Sequence, residues 1–402
     1  MSGSARALVL AAATVAAGGC RRGTPVAVAA DGATAATTTT AAVPTATTAT
    51  TATAPAAPAP AKRRFHRIDV HTHIGPDGIT RAVRLMKEWG IDGVVNLSGQ
   101  YPGPPRGMLE TQLAAAATAD GRIAVFMTPN FKLVRMGKGY GEAMAAELTE
   151  GQRLGARGLK ITKGLGLGYP GPDGKRLLAI DDPGLDPLWA RAGALGMPVA
   201  IHIGDPKAFW KPVSPENERW DELRVHPEWS FHGPGIPSWQ QLYDAFERLV
   251  ARHKKTTFIA VHFGNDPETP DNVARMLGKY PNFFIDTAAR VPEIGRHPQE
   301  KMRKFYAKYQ DRVLFGTDTG IGADDADMMY GSNGAGVPTR ADEVRFFTST
   351  WRYFETSDRQ FESPTPIQGR WKIDGVGLPE STLRKIYFDN AARVLRWRPP
   401  GT

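Results

Sequence analysis

The feature that most constrains this chain is a regular alternation. Beyond residue 64, eight short β-rich apolar runs recur: RIDVHTHI, IDGVVNLSG, RIAVFMTPN, ARGLKIT, MPVAIHIGD, TTFIAVHFGN, NFFIDTAAR and DRVLFGTD. Between them lie helical patterns such as ITRAVRLMKEWG, GEAMAAELTEGQRLG, LDPLWARAGALG and WQQLYDAFERLVARH, several closed by glycine, the residue that most easily takes the left-handed cap. Strands that read as near-continuous apolar runs are covered on both faces, which crossover helices of a parallel sheet provide. Eight such units fit an α/β fold of the (β/α)8 TIM barrel type over residues 65–398. A doubly wound sheet is the competitor. No Gly-x-Gly-x-x-Gly follows the first run, so a dinucleotide site is not expected.

The first run places His71 and His73 one residue apart. Residues two apart on a strand face the same side, so the two imidazoles converge. Taken alone, the pair reads equally as hydrogen-bonded core histidines. Other polar residues end other runs: Lys160 the fourth, His202 the fifth, His262 the sixth and Asp318 the eighth. Each alone has an ordinary explanation, a satisfied core histidine or an aspartate capping the next helix. A barrel, however, brings all strand C-termini to one rim, where the chemistry of such folds sits. His71, His73, His202, His262 and Asp318 together therefore suggest a shared metal site.

The ordered set resembles the amidohydrolase superfamily, and within it the amidohydrolase-related group that includes aminocarboxymuconate semialdehyde decarboxylase. The resemblance rests on DVHTH, GLKIT, PVAIHIGD, FIAVHFGN, VLFGTD and YFDNAARVL. It implies that His71, His73, His202 and Asp318 ligate a divalent metal, usually zinc with manganese as the other candidate. It implies that His262 is a catalytic group or a second-metal ligand, and that Asn390-Ala391-Ala392-Arg393 packs the last helix under the barrel.

Such a metal keeps an open position for water or substrate and makes hydroxide available near neutral pH. In hydrolysis Asp318 then manages the water proton. The rival reaction is non-oxidative decarboxylation, in which Asp318 and His262 handle proton transfer to carbon; a third reading is an inactive binding protein. Lys160 has three roles open to it: a carboxylated bridge between two metals, an anion contact, or a solvated or salt-bridged lysine. Substrate contacts are expected from the long insertion after the fifth run (residues 205–239), with Asp205, Trp210 and Arg219 as candidates. The alternative is a packed excursion with its own small core. His226 and His232 lie within it and are not expected to be ligands. Arg290 is a further candidate anion contact, or the partner of a salt bridge to a neighbour such as Asp286.

The N-terminus tells of destination. Residues 1–20 combine Arg6, an apolar Ala/Val/Leu stretch and Ala-Gly-Gly-Cys, as in an export signal ending in a lipoprotein-type cysteine. Cys20 is the only cysteine, which excludes an intrachain disulfide. Residues 21–64, rich in Thr, Ala and Pro, lack the large apolar groups that offset ordering entropy and are expected to be a disordered tether. A periplasmic or cell-surface lipoprotein anchored through Cys20 is thus expected. The net charge of +9 suits an anionic small-molecule substrate, while no basic run interleaved with aromatics suggests nucleic acid. A homodimer is an assembly that the helix faces would allow.

Overall fold

The computed structural model describes residues 65–103 and 108–402. The signal, Cys20 and tether lie outside the described residues. Strands β1 (Ile68–Ile74), β2 (Gly93–Asn96), β3 (Ile123–Met127), β4 (Gly158–Ile161), β5 (Val199–Ile201), β6 (Phe258–Ala260), β7 (Phe283–Asp286) and β8 (Val313–Leu314) pair in sequence order, all parallel. The eighth run is interrupted at residues 315–318 and resumes as β9 (Thr319–Ile321), which pairs in parallel with β1, Thr72 opposite Thr319. Bonds from Val70 N–H to Phe315 O (2.9 Å) and Asp318 N–H to His71 O (2.8 Å) carry the seam through the interruption. The eighth strand thus closes the sheet on the first, as the TIM-barrel expectation requires. A short strand β10 (Met329–Tyr330) then pairs antiparallel with β9.

Alternation along the strands separates two apolar layers. Val95, Ala124, Phe126, Ala200, Ile259, Phe284 and Leu314 form a cluster with Phe388, Ala391, Ala392 and Leu395 of the closing helices. The intervening residues, such as Val94, Val125, Leu159, Ile201, Phe258 and Ile285, pack with the helices outside. The closing segment therefore plugs the barrel floor. Asn390 fixes it there by donating to Gln310 O (2.7 Å) and Val313 O (2.8 Å), which is the packing role expected of its motif.

The first strand departs from strict alternation. Ile68 and Val70 join the interior cluster, whereas Ile74 joins the outer one. A register shift between Asp69 and Thr72 accounts for the change of side, since an irregularity in one strand re-aims the side chains beyond it. His71 and His73 thereby point into the barrel mouth.

The expected helices appear within a residue or two of their patterns: Ile79–Trp89, Tyr140–Leu154, Asp186–Leu195 and Trp239–Arg252. Gly90 (φ 68°) and Gly196 (φ 65°) supply left-handed caps, and Ser238 with Gln241 forms a capping box. A 16-residue helix, Arg340–Glu355, lies in a stretch where no helical pattern was singled out. Among the described residues no helix is long and apolar enough to cross a membrane.

Candidate metal centre

The rim residues meet where the parallel strands end. The imidazole of His71 is buried and held from behind. Its Nδ1 donates to Asp286 Oδ2 (2.8 Å), leaving an unprotonated Nε2 that faces Asp318 Oδ1 (3.3 Å) and Lys160 Nζ (3.4 Å). His262 is fixed the same way: Nδ1 lies 3.0 Å from Ala288 O, so it carries the proton and Nε2 is free. His71, His262 and Asp318 each offer a ligand atom within 4.8 Å of the others. His73 Nε2 stands 3.5 Å from Asp318 Oδ1, and its Nδ1 meets Ser98 Oγ at 3.0 Å.

The Nε2 of His202 faces Gly204 O (3.2 Å) and Asp205 Oδ1 (3.4 Å) and so carries the ring proton, which leaves Nδ1 bare. Its ring lies against that of His262, centroids 4.3 Å apart. His262, expected beside the first ligands, is in this geometry one of the closest three.

Asp286 is the residue that sequence reasoning passed over as a mere salt-bridge partner. At the end of β7 and 1% exposed, it takes the His71 Nδ1 proton on one oxygen. The other oxygen accepts the N–H groups of His262 (2.7 Å) and Ala288 (3.1 Å). Carboxylate–histidine pairs of this kind fix ligand tautomer and ring orientation. Asp69 ties the barrel seam in a similar manner, accepting from His71 N–H (3.0 Å), Thr317 N–H (3.0 Å) and Thr317 Oγ1 (2.5 Å). Thr317 precedes Asp318, whose φ of +65° puts it in the left-handed region. A position of that kind is sparsely populated except by Asn and Asp.

Burial sets the protonation states. It lowers His71 and His262 well below the usual imidazole range, with neighbouring cations and imidazoles adding to the effect, and lowers His202 to about 4 despite Asp205. Burial pushes Asp318 up to about 6 against the pull of Lys160 and Arg290, and Asp286 up to about 7. Neutral imidazoles and a carboxylate converging on one buried point are the donor set that a divalent cation requires. The residues present therefore fit a metal. Lys160, 3% exposed and lowered by burial to about 8, is not solvated; it sits inside the cluster.

Beyond the cluster lies a cationic margin. Lys163 pairs with Asp205 (2.5 Å) and lies 5.5 Å from the Phe231 ring centroid and 5.9 Å from that of Trp229. Burial would raise Asp205, but Lys163 and His202 outweigh it and hold it well below the usual carboxylate range. The carboxylate that Arg290 pairs with is Asp205 rather than Asp286. Arg290 donates to Ala289 O, stands 3.9 Å from Asp205, and its Nε meets no protein acceptor among the described residues. Trp210 donates to Pro237 O and packs against Phe231.

Arg219 has another task. It is 1% exposed and paired with Glu222 (3.0 Å) and Glu293, pinning the insertion to the segment after β7. It is thus engaged in the protein's own ion pairs. Arg219→Ala would strand two buried carboxylates and is expected to cost about 3–5 kcal/mol, read as a lowered urea midpoint.

The profile of the amidohydrolase family, amidohydrolase 2 group, matches residues 21–397. The chain belongs to the amidohydrolase family. Members of this family are metal-dependent and include hydrolases and decarboxylases. A search of curated proteins finds no match. Among solved structures, this chain resembles a TIM-barrel protein of Bordetella bronchiseptica at 15% identity and TM-score 0.48, over 83% of this chain and 99% of that one. It also resembles 2,6-dihydroxybenzoate decarboxylase from Rhizobium at 17% identity and TM-score 0.49, over 83% and 99%. A protein of Pseudomonas putida, proposed to be a 2-pyrone-4,6-dicarboxylic acid hydrolase, aligns at 14% identity and TM-score 0.43, over 82% and 97%.

Proposed function

We propose that this amidohydrolase is a metal-dependent hydrolase of small anionic esters, amides or lactones, with zinc as the metal and manganese as the alternative. The observation that carries the reading is Asp318, whose Oδ1 faces the Nε2 atoms of both His71 and His73 while its side chain stays 14% exposed. A carboxylate so placed can take a proton from water at the mouth and return it to a leaving group. When bound, the ion supplies Lewis acidity and brings the pKa of water to about 7. His71, His262 and Asp318 would hold it, with His73 and His202 at its margin. The bare Nε2 of His262 makes that residue a ligand or base; with its proton on Nδ1 it cannot donate to an oxyanion. Lys163 and Arg290 favour an anionic substrate, and Trp210, Trp229 and Phe231 exclude water from it.

Decarboxylation of an aromatic acid is the second reading, favoured by the same aromatic and cationic margin. Turnover in 18O-labelled water separates the two. Hydrolysis places one label in the acid product of a lactone or ester, whereas decarboxylation releases carbon dioxide from a hydroxybenzoate and leaves the organic product unlabelled. The label in product supports the first reading; carbon dioxide release overturns it in favour of the second. Export and anchoring through Cys20 remain part of the proposal on the sequence signal.

A further inference from the structure

The chain after β6 adopts an uncommon backbone. His262, Phe263, Gly264 and Asn265 all have positive φ (56°, 56°, 73° and 59°), a conformation that L-residues ordinarily adopt singly. The turn persists because it is tied at both ends: Asn265 N–H donates to Val261 O (2.8 Å) and His262 N–H to Asp286 Oδ1 (2.7 Å). Asn tolerates the left-handed region better than most residues, which accounts for its backbone. Its side chain has further work.

Pairing of β5 with β6 ends at Ile201 opposite Ala260, because β6 then leaves the sheet for this turn. That departure would orphan the next backbone groups of the fifth strand. The buried Asn265 amide replaces them: Ile203 N–H donates to Oδ1 (3.0 Å), and Nδ2 donates to Ile201 O (3.2 Å). These groups flank His202, whose own N–H donates to Ile161 O on the other side (3.0 Å). One side chain thus grips the backbone before and after His202, while its own main chain ends the turn that presents His262.

We infer that Asn265 is a positioning residue that locks the His202 and His262 loops together and so fixes the contact between their rings. This rests on the reading of those histidines as groups of the metal centre. Asn265→Gly is the informative variant: glycine keeps the left-handed backbone without strain and removes only the two amide bonds. Asn282→Ala is the control. Asn282 Nδ2 donates to three carbonyls, Val250, His253 and Thr256 (3.1–3.2 Å), at the start of β7, away from the mouth.

The readout is the set of imidazole carbon–proton NMR resonances in the ion-free full chain, with His202→Gln and His262→Gln for assignment. Both Asn variants are expected to lower Tm, but only Asn265→Gly should shift or broaden the His202 and His262 signals. Cobalt(II) affinity should fall about tenfold in that variant and stay unchanged in Asn282→Ala. Unmoved His202 and His262 signals in Asn265→Gly, or equal shifts in Asn282→Ala, would overturn the inference. If the parent protein takes up no cobalt, the metal reading fails, and the resonances still decide the role of Asn265. Should Asn265→Gly not fold, Asn265→Asp keeps the Ile203 bond and loses the Ile201 one, and the same signals decide.

Discussion

Asp318→Asn is expected to lower kcat by at least about 100-fold, the lower end of what a positioned proton-transfer group contributes, while leaving the fold intact. The amide is nearly isosteric but neither charged nor basic, so it can take no proton from water and is a poor metal ligand. Asn also accepts the left-handed φ of +65° at this position, and the backbone bonds from Asp318 N–H to His71 O and from Gly331 N–H to Asp318 O are untouched. Loss of turnover at an unchanged urea midpoint is the predicted pattern. Retained turnover would remove Asp318 from the proton path.

Asp286→Asn should act through metal affinity. The carboxylate accepts three buried donors on two oxygens; an amide offers one acceptor and one donor group. Whichever way it turns, its NH2 faces either the backbone N–H groups of His262 and Ala288 or Nδ1 of His71. In the second case His71 escapes the clash only by moving its proton to Nε2, the atom that faces Asp318 and must be bare to ligate. The expected loss is about 10–100-fold in metal affinity, measured by competition with a chelator, together with about 1–3 kcal/mol of stability for a buried donor left unmatched. Unchanged affinity would show that His71 does not depend on this pair.

The barrel was legible because its pattern is local. Each parallel strand announces itself as an apolar run and each helix as a 3.6-residue period, and a strand end is where a polar residue stops such a run. His71, His73, Lys160, His202, His262 and Asp318 were visible for that reason. What the sequence concealed depends on contacts between distant segments. The irregularity in β1 that turns His71 and His73 inward is a matter of pairing with β2, and two histidines spaced by one residue would look the same facing either side. Asp286 is one of several polar residues in FFIDTAAR, and Asn265 shares FIAVHFGN with His262; their importance lies in bonds to segments 24 and more residues away. The orientation of His202 toward Asp205 and the burial of Arg219 with Glu293 follow from how the insertion folds back. Composition could say only that the insertion is long and aromatic. Lys163, one step past the fourth run, carried a weak signal as a basic residue near the rim, and its ion pair with Asp205 gave it meaning.

The central claim is that the histidines and aspartate at the barrel mouth are a metal centre. Elemental analysis of the purified full chain, beside His71→Ala and Asp318→Ala variants, tests it most directly. The account predicts about one equivalent of a divalent transition metal per chain in the parent and little in either variant, with all three folded. A folded parent that binds no ion, even when zinc or manganese is supplied, would contradict it.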